Sequence, residues 1–215
     1  MKFTPVLLPI IIEAIADVIE ENAVEVTDLD QTLGDGDHVI NLQRGIDALM
    51  AERAELSQLG WADAWQKIGM TLMASVGGAS GSLYGTLFIA LSKAGQDKEL
   101  TLQGFSNVLT QGVEAVKKRG RSDVGEKTLL DVFIPVVRYL HSATVAETPL
   151  PNVLHQLSEV AVKGMESTRD MLATKGRASF LEERSLGHID AGAKTAQLMI
   201  CAIIDVLSSH LTSPT

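Results

Sequence analysis

Residues 30–38 read DQTLGDGDH. Three carboxylates, Asp30, Asp35 and Asp37, crowd into what reads as a single loop, and like charges held that close repel one another. A divalent cation removes the repulsion, because hard ions such as Mg²⁺ and Ca²⁺ take oxygen ligands. Gly34 and Gly36 allow the sharp turns that bring alternate carboxylates to one side. The spacing does not choose the metal, and an exposed acidic turn would have the same composition. It does exclude an EF-hand: counting from Asp28 or Asp30 puts Val39 or Asn41 at the twelfth position, where that loop requires Glu. His38 follows directly. Its ring can bond a phosphate or a metal-bound carboxylate, or cap the helix that begins there. Asn41 lies in the first turn of that helix, where free N–H groups and the helix dipole favour anions.

A second stretch, VGGASGS from Val76 to Ser82, precedes an apolar helical run. Small residues such as Gly78 and Ala79 at a helix N-terminus let a phosphate approach the backbone, and Ser80 and Ser82 add hydroxyls. No lysine follows at the Walker A position. Tight helix packing through Gly77, Gly78, Gly81 and Gly85 explains the same composition. Beside an acidic metal loop, however, a phosphate site accounts for both stretches at once, since Mg²⁺ is commonly held by a few carboxylates plus substrate phosphates. A third stretch, KGRASFLEERSLGHIDAGA, carries Arg177, Ser179, Glu182, Glu183, Arg184, His188 and Asp190. A salt-bridged surface loop would show the same mixture.

The elements that position these loops are helical. Leu102, Phe105, Leu109, Gly112, Val113 and Val116 share one face, with Thr101 as N-cap. Ala196, Ile200, Ile203, Leu207 and Leu211 do the same. Comparable periodicity runs over 10–21, 38–56, 61–76, 80–93, 126–141 and 150–174, which makes about eight helices. No period-2 run predicts a strand. The class is all-α, one domain over residues 1–215, and the short links favour antiparallel neighbours. Trp61 and Trp65, one helical turn apart, read as packing. His141, His155 and His210 have no carboxylates at metal spacing and are given no role.

The chain has 215 residues and a net charge of −9, with a pI near 5.0. Its one dense basic run is KKRGR, Lys117–Arg121, too little for a nucleic-acid groove. Cys201 is the single cysteine, so no disulfide framework exists and a reducing compartment fits. The apolar run Val6–Ile12 is followed by Glu13 and by continuing helical periodicity, which favours a core helix over a signal peptide. No uninterrupted apolar stretch reaches the roughly 18 residues of a membrane span. The expectation is a cytoplasmic protein that binds neither membrane nor nucleic acid.

Four segments in order, LGDGDH, GGASG, GEKTLLD and GRASFLEERSLGHIDAGA, resemble the signature segments of the DhaL family, the ADP-binding subunits of phosphoenolpyruvate-dependent dihydroxyacetone kinases. The resemblance implies a closed barrel of eight antiparallel amphipathic helices with ADP or ATP at one end. It implies that Asp30, Asp35 and Asp37 hold two Mg²⁺ ions. His38, Val39, Ile40 and Asn41 would line the nucleotide, and Gly78, Ala79 and Ser80 would meet its phosphates. Gly120 and Leu129 would border the adenine, and Ile189, Asp190 and Ala191 would close the site. Catalytic roles fall to Arg177, which would pair with phosphate, and to His38. The implied partners are a DhaM-type phosphohistidine donor and a DhaK-type subunit that holds dihydroxyacetone, with a transcriptional regulator as a further one. An ATP-exchanging subunit for another small ketose is the alternative. The sequence leaves the oligomeric state open, a homodimer included. Three positions depart from the family pattern: Val39 replaces Gly, Glu126 replaces Asp, and Ala191 replaces Pro. The fatty-acid kinase relatives carry Thr where this chain has His38.

Overall fold

The computed structural model describes residues 4–98 and 100–212, and none of them forms a strand. The described residues contain α1 (Leu8–Glu21), α2 (Ala23–Leu33), α3 (His38–Leu56), α4 (Trp61–Ser75), α5 (Gly78–Gly95), α6 (Leu102–Gly120), α7 (Leu130–Val145), α8 (Leu150–Ser167) and α9 (Ala191–Thr212). Short 3-10 segments lie at Pro5–Leu7, Thr168–Asp170 and Arg177–Ser185. The class is all-α, as expected.

Neighbours in the chain pack in order from α3 to α9, α1 packs on α3, and α9 returns to α1, so the ring closes. The α2 helix continues α1 past a break at Asn22. There Asn22 N–H donates to Val18 O and Val26 N–H to Asn22 O, which keeps the helical ladder running. Both pieces pack on α3 and α9. They are one stave in two parts, so the nine helices form the expected barrel of eight staves. Links as short as Val76–Gly77 and Ala146–Pro149 reverse the chain between packed neighbours. Accordingly α3, α5, α7 and α9 start at the end of the barrel where α2, α4, α6 and α8 finish.

The interior is filled by the periodic apolar faces: Leu72 of α4, Leu87 of α5, Val113 of α6, Leu140 of α7, Leu157 of α8 and Ala196 of α9 are buried together. Each large aliphatic side chain buried this way contributes about 1.5–3 kcal/mol. Trp61 and Trp65 pack ring to ring at 5.2 Å, as read. Thr101 caps α6 by accepting from Gly104 N–H at 3.1 Å. By length and composition, residues 191–211 of α9 could cross a membrane. They pack instead against α1, α7 and α8 as a stave of the barrel.

Some boundaries differ from expectation. Helix α7 opens at Leu130 rather than 126, because residues 121–129 form a tight connection in which Arg121 and Lys127 take positive φ. Helix α8 ends at Ser167 rather than 174, where the chain turns through a 3-10 segment into the long connection to α9. Pro135 sits inside α7 and has no N–H to give Asp131 O. The Gly164 backbone of α8 packs against that carbonyl: a Cβ there would stand 2.4 Å from Asp131 O and 3.0 Å from Val132 Cα. Both obstacles are backbone, so Gly164→Ala is expected to cost about 1–3 kcal/mol despite alanine's better helix propensity. An unchanged denaturant midpoint in the variant would contradict this contact.

Candidate nucleotide and metal site at one end of the barrel

Four helix N-termini, of α3, α5, α7 and α9, and the C-terminal end of α6 surround a cavity of about 510 Å³. The acidic stretch forms one wall. Asp30 belongs to the last turn of α2 and not to the loop in which the spacing placed it. Its Oδ2 accepts from His38 N–H at 3.0 Å, so the turn folds back onto the helix end. Gly36, at φ 75, makes the turn that a β-carbon would strain. One oxygen from each of Asp30, Asp35 and Asp37 lies within 4.8 Å of the other two. This compact set of hard oxygen donors, half-exposed to the cavity, suits a divalent cation with water and phosphate completing its shell. The Arg177 guanidinium ion-pairs with Asp35 Oδ2 from the opposite connection, between α8 and α9.

His38 begins α3 and is held on both ring nitrogens. Nε2 lies 2.9 Å from Thr195 Oγ1, and Nδ1 lies 3.3 Å from Ser80 Oγ. Thr195 gives its only hydroxyl proton to Gly192 O at 3.1 Å. With that proton on Gly192 O, the matching tautomer has His38 Nε2–H donating to Thr195 Oγ1 and Nδ1 accepting from the Ser80 hydroxyl. Burial lowers the His38 pKa, against the raising influence of Asp30 and Asp37. The result ties the acidic wall, the glycine wall and α9 together. Asn41 is buried one turn later, with its Oδ1 accepting from Arg44 Nη1 at 3.1 Å.

Asp30, Asp35, Asp37, His38, Asn41, Gly78, Ala79, Ser80, Gly120, Leu129, Arg177, Asp190 and Ala191 all line this cavity. Val39, Ile40 and Ile189 do not. Val39 and Ile189 are buried in apolar packing, whereas Ile40 is 54% exposed on the outer face of α3. Val39 and Ala191, two of the departures from the family pattern, belong to one apolar cluster with Ile19, Val26, Ile46 and Leu198. The third departure, Glu126, accepts from Asp123 N–H at 2.6 Å and from Thr174 Oγ1 at 3.1 Å, and pairs with Lys175 at 3.2 Å. It links the α6–α7 connection to the α8–α9 connection.

Several lining residues lie outside the expected set of site residues, although the basic run beside Gly120 could be read from the sequence either as a phosphate or partner contact or as a solvated turn. Arg119, from the basic run, donates through Nε to Ser82 Oγ at 2.6 Å on the glycine wall. Lys127 and Thr128 also line the cavity. Asp131 lies behind them and accepts from the N–H groups of Gly125 and, at 2.7 Å, of Thr128. Burial raises the Asp131 pKa, against those backbone donors, and lowers that of Lys127. The GEKTLLD motif contains both residues at i, i+4, the one local signal that could have found them.

Asp190 caps α9, with Oδ2 accepting from Ala193 N–H at 2.7 Å. Burial nevertheless pushes its carboxyl up to about 6, outweighing that bond and the Lys127 charge. In protein stripped of metal and nucleotide, the native state thus holds the Asp190 proton more tightly than the unfolded state does. This contribution to stability is full below about 4 and is lost as pH rises towards 6. Asp190→Asn keeps a capping oxygen and removes the titration. The stability of wild type relative to Asp190→Asn is therefore expected to fall between pH 4 and pH 6.5. Parallel denaturant midpoints across that range would contradict the assignment.

Residues 32–205 match the DAK2 domain family. The chain belongs to the DAK2 domain family. This DAK2 domain is 40% identical over 186 residues to the "PEP-dependent dihydroxyacetone kinase 1, ADP-binding subunit DhaL" of Listeria innocua, covering 86% of this chain and 88% of that one. It is 37% identical over 185 residues to the ADP-binding subunit DhaL of Escherichia coli, covering 86% and 88%. It is 30% identical to the L-erythrulose kinase of Pectobacterium atrosepticum, covering 94% of this chain and 35% of that one. The DAK2 domain superposes on the dihydroxyacetone kinase of C. freundii, solved with AMP-PNP and Mg²⁺. The TM-score is 0.72 at 23% identity, over 95% of this chain and 34% of that one. That likeness fixes the barrel fold.

Proposed function

We propose that this chain is the nucleotide-binding subunit of a dihydroxyacetone kinase, acting as one domain in the cytoplasm. The reading rests on one observation above all. The Asp30, Asp35 and Asp37 oxygens face the Ser80 hydroxyl wall and Arg177 across a single cavity, in a DAK2 domain. The three carboxylates would hold two Mg²⁺ ions, and the glycine wall and Arg177 would hold the phosphates of ADP or ATP. Bound there, the magnesium nucleotide would relay a phosphoryl group, ADP accepting it from a DhaM-type phosphohistidine donor and the resulting ATP giving it to dihydroxyacetone on a DhaK-type subunit. This chain's own residues position and neutralise. Arg177 offers a planar, permanently charged donor set to phosphate oxygens. His38 fixes the Ser80 hydroxyl, and Leu129 and Gly120 present an apolar and an open surface to a base. The Ser80 hydroxyl beside His38 Nδ1 is read as a phosphate-binding group and not as a nucleophile, and the chemistry at the substrate hydroxyl is assigned to the partner.

Two measurements test this reading. Protein freed of excess nucleotide by gel filtration and then denatured should release near-stoichiometric ADP. An empty site would favour the exchanging alternative. Reconstitution with DhaK-type and DhaM-type partners and phosphoenolpyruvate should phosphorylate dihydroxyacetone. Erythrulose belongs in the same screen, because one relative is named for it. A transcriptional regulator as a further partner is tested by pull-down with the nucleotide-loaded protein.

A further inference from the structure

Lys127 is 2% exposed, an unusual place for an ammonium group. It stands at φ 60 in the connection before α7, directly ahead of Thr128 and Leu129 on the cavity wall. Its Nζ donates to two backbone carbonyls, Thr168 O at the end of α8 and His188 O in the approach to α9. Those two segments are also joined to each other, since Asp190 N–H donates to Thr168 Oγ1 at 3.1 Å. Asp190 in turn caps α9 through Ala193 N–H. A single buried cation thus connects the starts of α7 and α9 with the end of α8. It fixes the height at which Asp190 meets the cavity.

Packing alone does not require this arrangement. An apolar side chain would fill the same volume without the cost of burying charge. The ammonium is specified by what it binds: two buried carbonyl oxygens where helix and loop meet, His188 O and Thr168 O, the latter also accepting from Met171 N–H at 3.2 Å. We propose that Lys127 is a positioning residue of the nucleotide site, holding the Asp190 wall in register with the Leu129 wall. The inference rests on the reading of the cavity as a magnesium–nucleotide site.

The test is calorimetric titration of ADP in Mg²⁺ into nucleotide-stripped protein, alongside thermal melts in EDTA. Residues that orient a site's other groups typically shift affinity by roughly 10–100-fold when removed. Lys127→Met, measured at a temperature where it is folded, is expected to weaken the Kd by about that factor. Lys127→Arg, whose guanidinium can still donate to both carbonyls, is expected to recover most of the affinity. Equal Kd values for wild type and Lys127→Met would overturn the proposal, and so would a Lys127→Arg variant that folds and binds no better than Lys127→Met. Should Lys127→Met fail to fold, Thr168→Val carries the test. It deletes the hydroxyl that accepts from Asp190 N–H and donates to Met165 O, the link through which the anchored Thr168 segment reaches Asp190, and leaves the ammonium and both carbonyls in place. An unchanged Kd in Thr168→Val would then overturn the proposal, and a weakened one would support it. If wild type itself binds no ADP in Mg²⁺, it is the nucleotide reading that fails, which keeps the two failures distinguishable.

Discussion

Asp35→Asn is expected to abolish the stabilisation of this protein by Mg²⁺ and ADP while leaving the ligand-free fold intact. The two halves of that result have different causes. Without a cation, the Asp35 carboxylate sits within 4.8 Å of two others and is offset by the Arg177 ion pair. The Arg177 side chain is 67% exposed, and such a pair is worth about 0–1 kcal/mol. Removing one carboxylate relieves repulsion of similar size, so the melting temperature in EDTA should hardly move. With the cation, the variant loses one of three charged ligands. Ligand present at a hundred times its Kd stabilises by about 2.7 kcal/mol. At roughly 2–4 °C per kcal/mol for a chain of this size, wild type should gain roughly 5–10 °C in Mg²⁺ and ADP. Asp35→Asn should gain little. Equal increments in the two proteins would show that the carboxylates do not hold the metal.

Arg177→Ala should affect transfer far more than binding. Arg177 opens a 3-10 segment after Gly176, on the long α8–α9 connection, and reaches across the cavity mouth to Asp35. A guanidinium placed there neutralises charge on a transferring phosphoryl group, a role worth on the order of 10³ in rate in other phosphotransferases. ADP affinity should fall much less, since three carboxylates, the glycine wall and the helix N-termini are untouched. Arg177→Lys should retain only part of the rate, because a point charge does not reproduce bidentate geometry. Transfer within a few-fold of wild type in the reconstituted system would remove Arg177 from the mechanism.

These residues were legible to different degrees, for physical reasons. The Asp35–Gly36–Asp37 spacing is local, and a turn that presents alternate carboxylates is specified by the glycines themselves. The cap at Thr101 is likewise local, spanning the four residues from Thr101 to Gly104. Helix α2 was not legible. Its sequence, AVEVTDLDQTL, is rich in β-branched residues and has no side-chain N-cap bond, and only Val26 and Leu33 are buried. It is helical because α1 runs into it and because α3 and α9 cover its apolar side. The spacing therefore places Asp30 in a loop, although it stands on a helix. The start of α7 was misplaced for a related reason: apolar periodicity does not report the positive φ angles at Arg121 and Lys127 that hold the preceding connection out of the helix.

By itself, the sequence determined the all-helical class, the capped amphipathic staves, and three loops able to hold a cation and phosphates, because periodicity, capping and turn chemistry act over a few residues. Only the tertiary structure decided that α9 closes on α1, that His38 joins Ser80 to Thr195, and that Lys127 serves the carbonyls of Thr168 and His188. Those partners lie 41 to 157 residues apart in the chain. No local pattern encodes them: each is set by the closure of the ring, which brings alternate helix ends to one rim and leaves buried donors and acceptors there that must satisfy one another.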